Sequence, residues 1–109
     1  MFKVEENRLV KQWPATVELP VDGGTIEKEK ITLDLLILDT EENARMLRGD
    51  EATLKKIVKG WTGIGDKNGD AFPYSDESLN ALLKNQFFVI AVVRAYQQAS
   101  NGQAAEKNS

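Results

Sequence analysis

Residues 13–38 read WPATVELPVDGGTIEKEKITLDLLIL, and their period decides the architecture. Trp13, Ala15, Val17, Leu19 and Val21 alternate with Pro14, Thr16, Glu18 and Pro20, which is the period of a strand with one buried face. Asp22-Gly23-Gly24 then supplies the positive-φ positions of a tight hairpin turn. A second extended stretch begins at Thr25. Its start, Glu27 to Lys30, is solvated, and Ile31, Leu33, Leu35 and Ile37 resume the alternation. Proline cannot donate to a ladder, so Pro14 and Pro20 place the first strand at an edge or interrupt it. The extended region runs from about Arg8 to Leu38.

Beyond residue 38 the period changes to that of helices. Asp39-Thr40-Glu41-Glu42 has capping-box spacing, with acids at the positive end of the helix dipole. That helix ends at Gly49. Asp50 caps a second one in which Leu54, Ile57 and Val58 share a face. Lys55, Lys56 and Lys59 read as a solvated face favoured by the dipole in preference to a phosphate patch. Ser75 caps a third helix carrying Leu79, Leu82 and Leu83. The last helix begins near Gln86, and Phe87 to Tyr96 leave it almost no polar face, so it is central to the core or buried in a partner. The fold class is α+β: an N-terminal β-hairpin or extended segment followed by a bundle of about four short helices. Residues 1–101 form a single domain, and 102–109 a disordered C-terminal tail.

Composition narrows the chemistry. The 109 residues suffice for one core, and 41% hydrophobic with 28% charged residues is ordinary for a globular protein. A net charge of −3 gives no electrostatic footprint for nucleic acid or an anionic membrane. Cysteine and histidine are absent, which removes disulfides, thiolate sites, the commonest general base and the commonest zinc ligand. The opening residues do not read as a signal peptide, and the longest apolar run, Phe87 to Val93, falls short of the roughly 20 residues a bilayer needs.

The stretch 61–79, WTGIGDKNGDAFPYSDESL, invites a metal reading. With Asp66 at position 1 of a calcium loop, Asn68, Asp70 and Glu77 fall at positions 3, 5 and 12. Position 6, which needs glycine, is Ala71, Pro73 follows at 8, and Ser75 serves better as a helix cap. Turn chemistry is the stronger reading, with Asn68 or Gly69 taking positive φ in a connector between two helices. Trp61 would anchor one side of it and Phe72 or Tyr74 the other. The acid pairs Glu41-Glu42, Asp50-Glu51 and Asp76-Glu77 each lie in a first helical turn, where the dipole explains them. No catalytic, cofactor-binding or metal residue is assigned, no cofactor is implied, and the protein reads as a non-enzyme.

The order Gly60-Trp61-x-Gly63-Ile64, Asp66-x-x-Gly69, Phe72-Pro73-Tyr74-Ser75-x-Glu77-x-Leu79-x-x-Leu82-Leu83 resembles the signature of tail assembly chaperones from long-tailed (lambda-like) bacteriophages. Residues 89–99, VIAVVRAYQQA, fit the apolar final helix of that family, with Tyr96 as its aromatic. The resemblance covers about residues 50–99. It implies a non-enzymatic role in virion assembly: coating the tape measure protein, recruiting tail tube subunits, and leaving before the tail is complete. It further implies residence in the host cell cytoplasm, absence from the mature virion, and possible self-association. Exposed parts of the last helix and the hairpin edge are the expected contact surfaces. Members of that family are often made in two lengths by ribosomal frameshifting, and Glu106-Lys107-Asn108 is compatible with a slippery codon run. The alternatives are a small calcium-binding domain or a regulatory adaptor.

Overall fold

A computed structural model describes residues 1–4 and 7–104. Strands β1 (Arg8–Val21) and β2 (Thr25–Ile37) form a long antiparallel hairpin, joined by a tight turn at Asp22–Gly24. Gly23 and Gly24 adopt φ of 83° and 80°, which a side chain at either position would oppose. Helices α1 (Thr40–Leu47) and α2 (Glu51–Ile57) follow, then strand β3 (Val58–Thr62), helix α3 (Asp76–Leu82) and helix α4 (Gln86–Ser100). The sheet order is β1-β2-β3, antiparallel throughout, with α4 packed against β1 and β2 and α2 against β2 and β3. The α+β architecture and the four helices agree with the sequence.

Three of the four helices among the described residues start where a side chain serves their orphan amides. Asp39 accepts from the Glu42 amide at 2.9 Å, Ser75 from the Ser78 amide at 3.0 Å, and Asn85 from the amides of Phe87 and Phe88 at 2.9 and 3.3 Å. Asp50 precedes α2 and receives the Thr53 hydroxyl at 2.6 Å, without bonding a backbone amide. The lysines lie on a solvated face: Lys55 pairs with Glu51 at 3.7 Å and Lys56 with Glu42 at 3.0 Å.

One expected element is different. Val58 does not extend α2; it opens β3, whose Trp61 pairs with Leu33 and whose Gly60 pairs with Asp34. The stretch from Trp61 is therefore a strand and a tight turn, and only its far end leads into a helix. The physical reason is burial: Val58 is fully buried beside Leu35, where an edge strand seals the sheet and a longer helix could not.

The edge position of β1 holds, and the strand is also interrupted. Val10 pairs with Leu35 and Trp13 with Leu33, so Lys11 and Gln12 together face Asp34 in a β-bulge. Gln12 sits at φ 55°, and its amide donates to the Asp34 carboxylate at 2.9 Å. The bulge changes the parity of β1, which lets Val10 and Trp13 point to the same side. Opposite Asp34, a Cβ at Gly60 would lie 2.5 Å from Oδ2, so that carboxylate occupies the place of a side chain.

The core joins Leu33, Leu35 and Ile31 of β2 to Met46, Leu54, Ile57 and Val58, and to Phe88, Val92 and Tyr96 of α4. Tyr96 is fully buried; its hydroxyl accepts the Leu38 amide at 2.9 Å and donates to Asn43 Oδ1. Past α4, the amides of Gly102 and Gln103 return to the carbonyls of Ala99 and Gln98 at 3.2 and 2.9 Å. Most of the tail expected to be disordered, together with Glu106-Lys107-Asn108, lies outside the described residues.

Candidate functional site

The signature stretch folds into one compact unit. Asp66 organises its turn: its Oδ1 accepts the amides of Asn68 at 2.8 Å and Asp70 at 3.0 Å. The Asp66 amide donates to Asp70 O at 2.8 Å and the Gly69 amide to Asp66 O at 3.0 Å, and Gly65 and Ala71 form an antiparallel bridge across the base. The carboxylate read as the first calcium ligand is thus engaged by amides of its own turn. Glu77 belongs to the first turn of α3. No group of three or more acidic residues suited to a metal ion occurs among the described residues.

Aromatic packing fixes the unit to the sheet. Trp61 stacks on Phe72, with centroids 6.3 Å apart and planes 9° from parallel. It meets Tyr74 and Phe88 edge-on at 5.1 and 6.1 Å. Its indole N–H donates to Phe72 O at 2.7 Å, and the Tyr74 hydroxyl donates to Val58 O at 3.0 Å. Both Phe72 and Tyr74 therefore face Trp61. Burial raises the Tyr74 pKa, and the nearby Asp76 carboxylate adds to the rise.

Between this unit and the hairpin lies a groove of about 550 Å³. Val17, Leu19, Glu29 and Ile31 form the hairpin wall. Gly63 to Asp66 and Gly69 form the opposite wall, and Leu82, Asn85 and Phe88 close one end. Gly63 makes this approach possible: it adopts φ 83°, and a Cβ there would stand 3.0 Å from Lys30 O and 3.3 Å from Ile31 Cα. The volume lies in the range of about 300–1,000 Å³ typical of binding clefts. Its lining is largely apolar, with Glu29 and Asp66 as its charged residues.

The β1 edge of the sheet is a poor template for a further strand. Pro14 pairs with Thr32 and Pro20 with Ile26. Neither has an N–H, so neither position can donate to a strand laid along this edge. Arg94 of α4 reaches over this edge to Glu18 at 3.1 Å. Strand addition along β1, one of the contact modes expected from the sequence, is therefore disfavoured. On α4, Ile90 remains 51% exposed.

Sequence reasoning identified the signature residues but not the groove, because its walls come from residues 17–31, 63–69 and 82–88. Among the described residues no helix is long and apolar enough to cross a membrane.

A three-stranded antiparallel sheet covered by short helices defines a small α+β domain. Residues 23–109 match the model of the YdaY prophage protein family. The match spans most of the chain, and the protein belongs to that family, which is phage-associated. No curated protein and no solved structure matches the chain.

Proposed function

We propose that this phage-family protein is a non-enzymatic tail assembly chaperone that binds the tape measure protein and brings tail tube subunits to it in the host cytoplasm. The observation that carries the reading is the position of the signature resembling such chaperones. Phe72 and Tyr74 of this signature pack on Trp61, and its Gly63, Ile64, Asp66 and Gly69 line one wall of the groove. A chaperone of long helical proteins needs a reversible cover for apolar surface, and a groove lined largely by apolar side chains is suited to supplying one.

The test is co-expression with the tape measure and tail tube proteins of the same phage genome, followed by affinity capture through this chain. Recovery of soluble tape measure protein, dependent on this chain, is the expected result. Tape measure protein that stays insoluble, with neither partner captured, would reject the reading. Gene order gives an independent check, since a tail chaperone gene is expected between those of the tail tube and the tape measure.

A further inference from the structure

The inner face of the hairpin carries a charge pattern that the core does not use. Val17 pairs with Glu29 and Leu19 with Glu27, so each apolar residue of β1 stands beside a carboxylate of β2 on the same face. Val21 extends the apolar row and is 42% exposed. Both glutamates are exposed, and neither has an ion-pair or hydrogen-bond partner among the described residues. On the opposite face, by contrast, Glu18 is paired with Arg94. The result is an apolar strip bordered by unneutralised acids, leading directly into the groove beside Ile31 and Phe88.

The geometry points to this strip and groove as the docking site of an amphipathic helix whose apolar stripe is flanked by lysine or arginine. Charge complementarity sets the sign of the partner: Glu27 and Glu29 lie where flanking cations would reach them. Length sets its form. From Val17 to Val21 the strip runs about 14 Å at roughly 3.4 Å per residue, which matches about nine residues of helix at 1.5 Å each. The prolines of β1 disfavour the other common mode, addition of an extended peptide to the edge. This deepens the chaperone reading by stating what chemistry the groove selects, and it rests on that reading only for the identity of the natural partner.

The probe is a labelled 18-residue amphipathic peptide of leucine and lysine at helical spacing, compared by fluorescence anisotropy with the same peptide carrying glutamate for lysine. The lysine peptide is expected to bind at least tenfold more tightly. Glu27→Lys/Glu29→Lys should weaken it tenfold or more without lowering the melting temperature, and Leu19→Asp should weaken it similarly. The charge-matched control Glu41→Lys/Glu51→Lys should leave affinity within about twofold, which separates the groove from the overall charge. Equal binding of both peptides, no binding of either, or equal loss in the control would overturn the proposal. A dimer of the protein alone that Leu19→Asp dissolves would also overturn it, by making a second copy the occupant. The two readings fail separately. Tape measure capture that survives the groove variants sinks the docking site alone, whereas lysine-peptide binding without tape measure capture sinks the chaperone assignment alone.

Discussion

Gly60 offers the sharpest test of how the sheet is built. A methyl group there would lie 2.5 Å from Asp34 Oδ2, well inside contact distance. The carboxylate must then move, and its other oxygen holds the Gln12 amide at 2.9 Å in the bulge. Losing that bond costs about 1 kcal/mol, and local overpacking adds about 1–3 kcal/mol. Replacing glycine by alanine returns about 0.4–1 kcal/mol through the unfolded chain. The net expectation for Gly60→Ala is a loss of about 1–3 kcal/mol, or about 4–12 °C in Tm for a domain of this size. Removing the obstructing carboxylate reverses the outcome. An Asp34→Ala background removes the two closest obstacles and leaves the residue-34 Cβ at an ordinary 3.6 Å, so Gly60→Ala should be neutral or slightly stabilising. Urea denaturation followed by tryptophan fluorescence on the four members of this cycle measures the coupling. If Gly60→Ala costs the same in both backgrounds, within about 0.5 kcal/mol, the account of the bulge is wrong.

Three further outcomes are expected. Tyr96→Phe strands the buried Leu38 amide and should cost about 1–3 kcal/mol in the same urea assay. Burial pushes the Tyr96 pKa above its ordinary 10.0; the Leu38 amide opposes that rise, and the Asp39 and Glu42 carboxylates add to it. Its contribution is therefore complete below pH 10 and is lost as pH climbs through the folded value; a Tyr96→Phe variant that kept the full alkaline fall would count against this. The two tryptophans should respond differently to phenylalanine: Trp61 loses a 2.7 Å hydrogen bond, whereas the buried Trp13 Nε1 has no partner among the described residues to lose. Trp61→Phe should thus be the more destabilising by about 1 kcal/mol in thermal melts. Asp66→Ala, which frees two turn amides, should lower stability by about 1–2 kcal/mol, and millimolar calcium should leave the wild-type Tm unchanged; a rise of several degrees that Asp66→Ala abolishes would restore the metal reading.

How much was legible differs by element. The hairpin was readable because residues 13–21 and 31–37 keep a period of two on either side of Asp22-Gly23-Gly24, and no competing helical period exists there. The caps at Asp39 and Ser75 were readable because capping is local chemistry within three residues. Strand β3 was not, since VKGWT is five residues long, contains a glycine and follows α2 without a break. Its conformation is imposed by β2, so tertiary pairing overrides the local signal. The bulge at Lys11–Gln12 was equally hidden, because its stabiliser, Asp34, is 22 residues away. The signature aromatics were picked out as anchors, yet their joint packing on Trp61 and the groove beside them depend on distances that spacing alone does not encode.

The placement of Tyr96 also has a consequence in time. Its hydroxyl joins Leu38 and Asn43, 58 and 53 residues earlier in the chain, and Phe88, Val92 and Ala95 complete the core beside it. During synthesis the hairpin leaves the ribosome well before α4 exists, and long-range contacts of this kind form late. For that interval Leu33 and Leu35 have no lid, and the nascent sheet is most prone to pair with its neighbours. Pro14 and Pro20 are present from the start, and they blunt the exposed edge until the last helix arrives to cover the face.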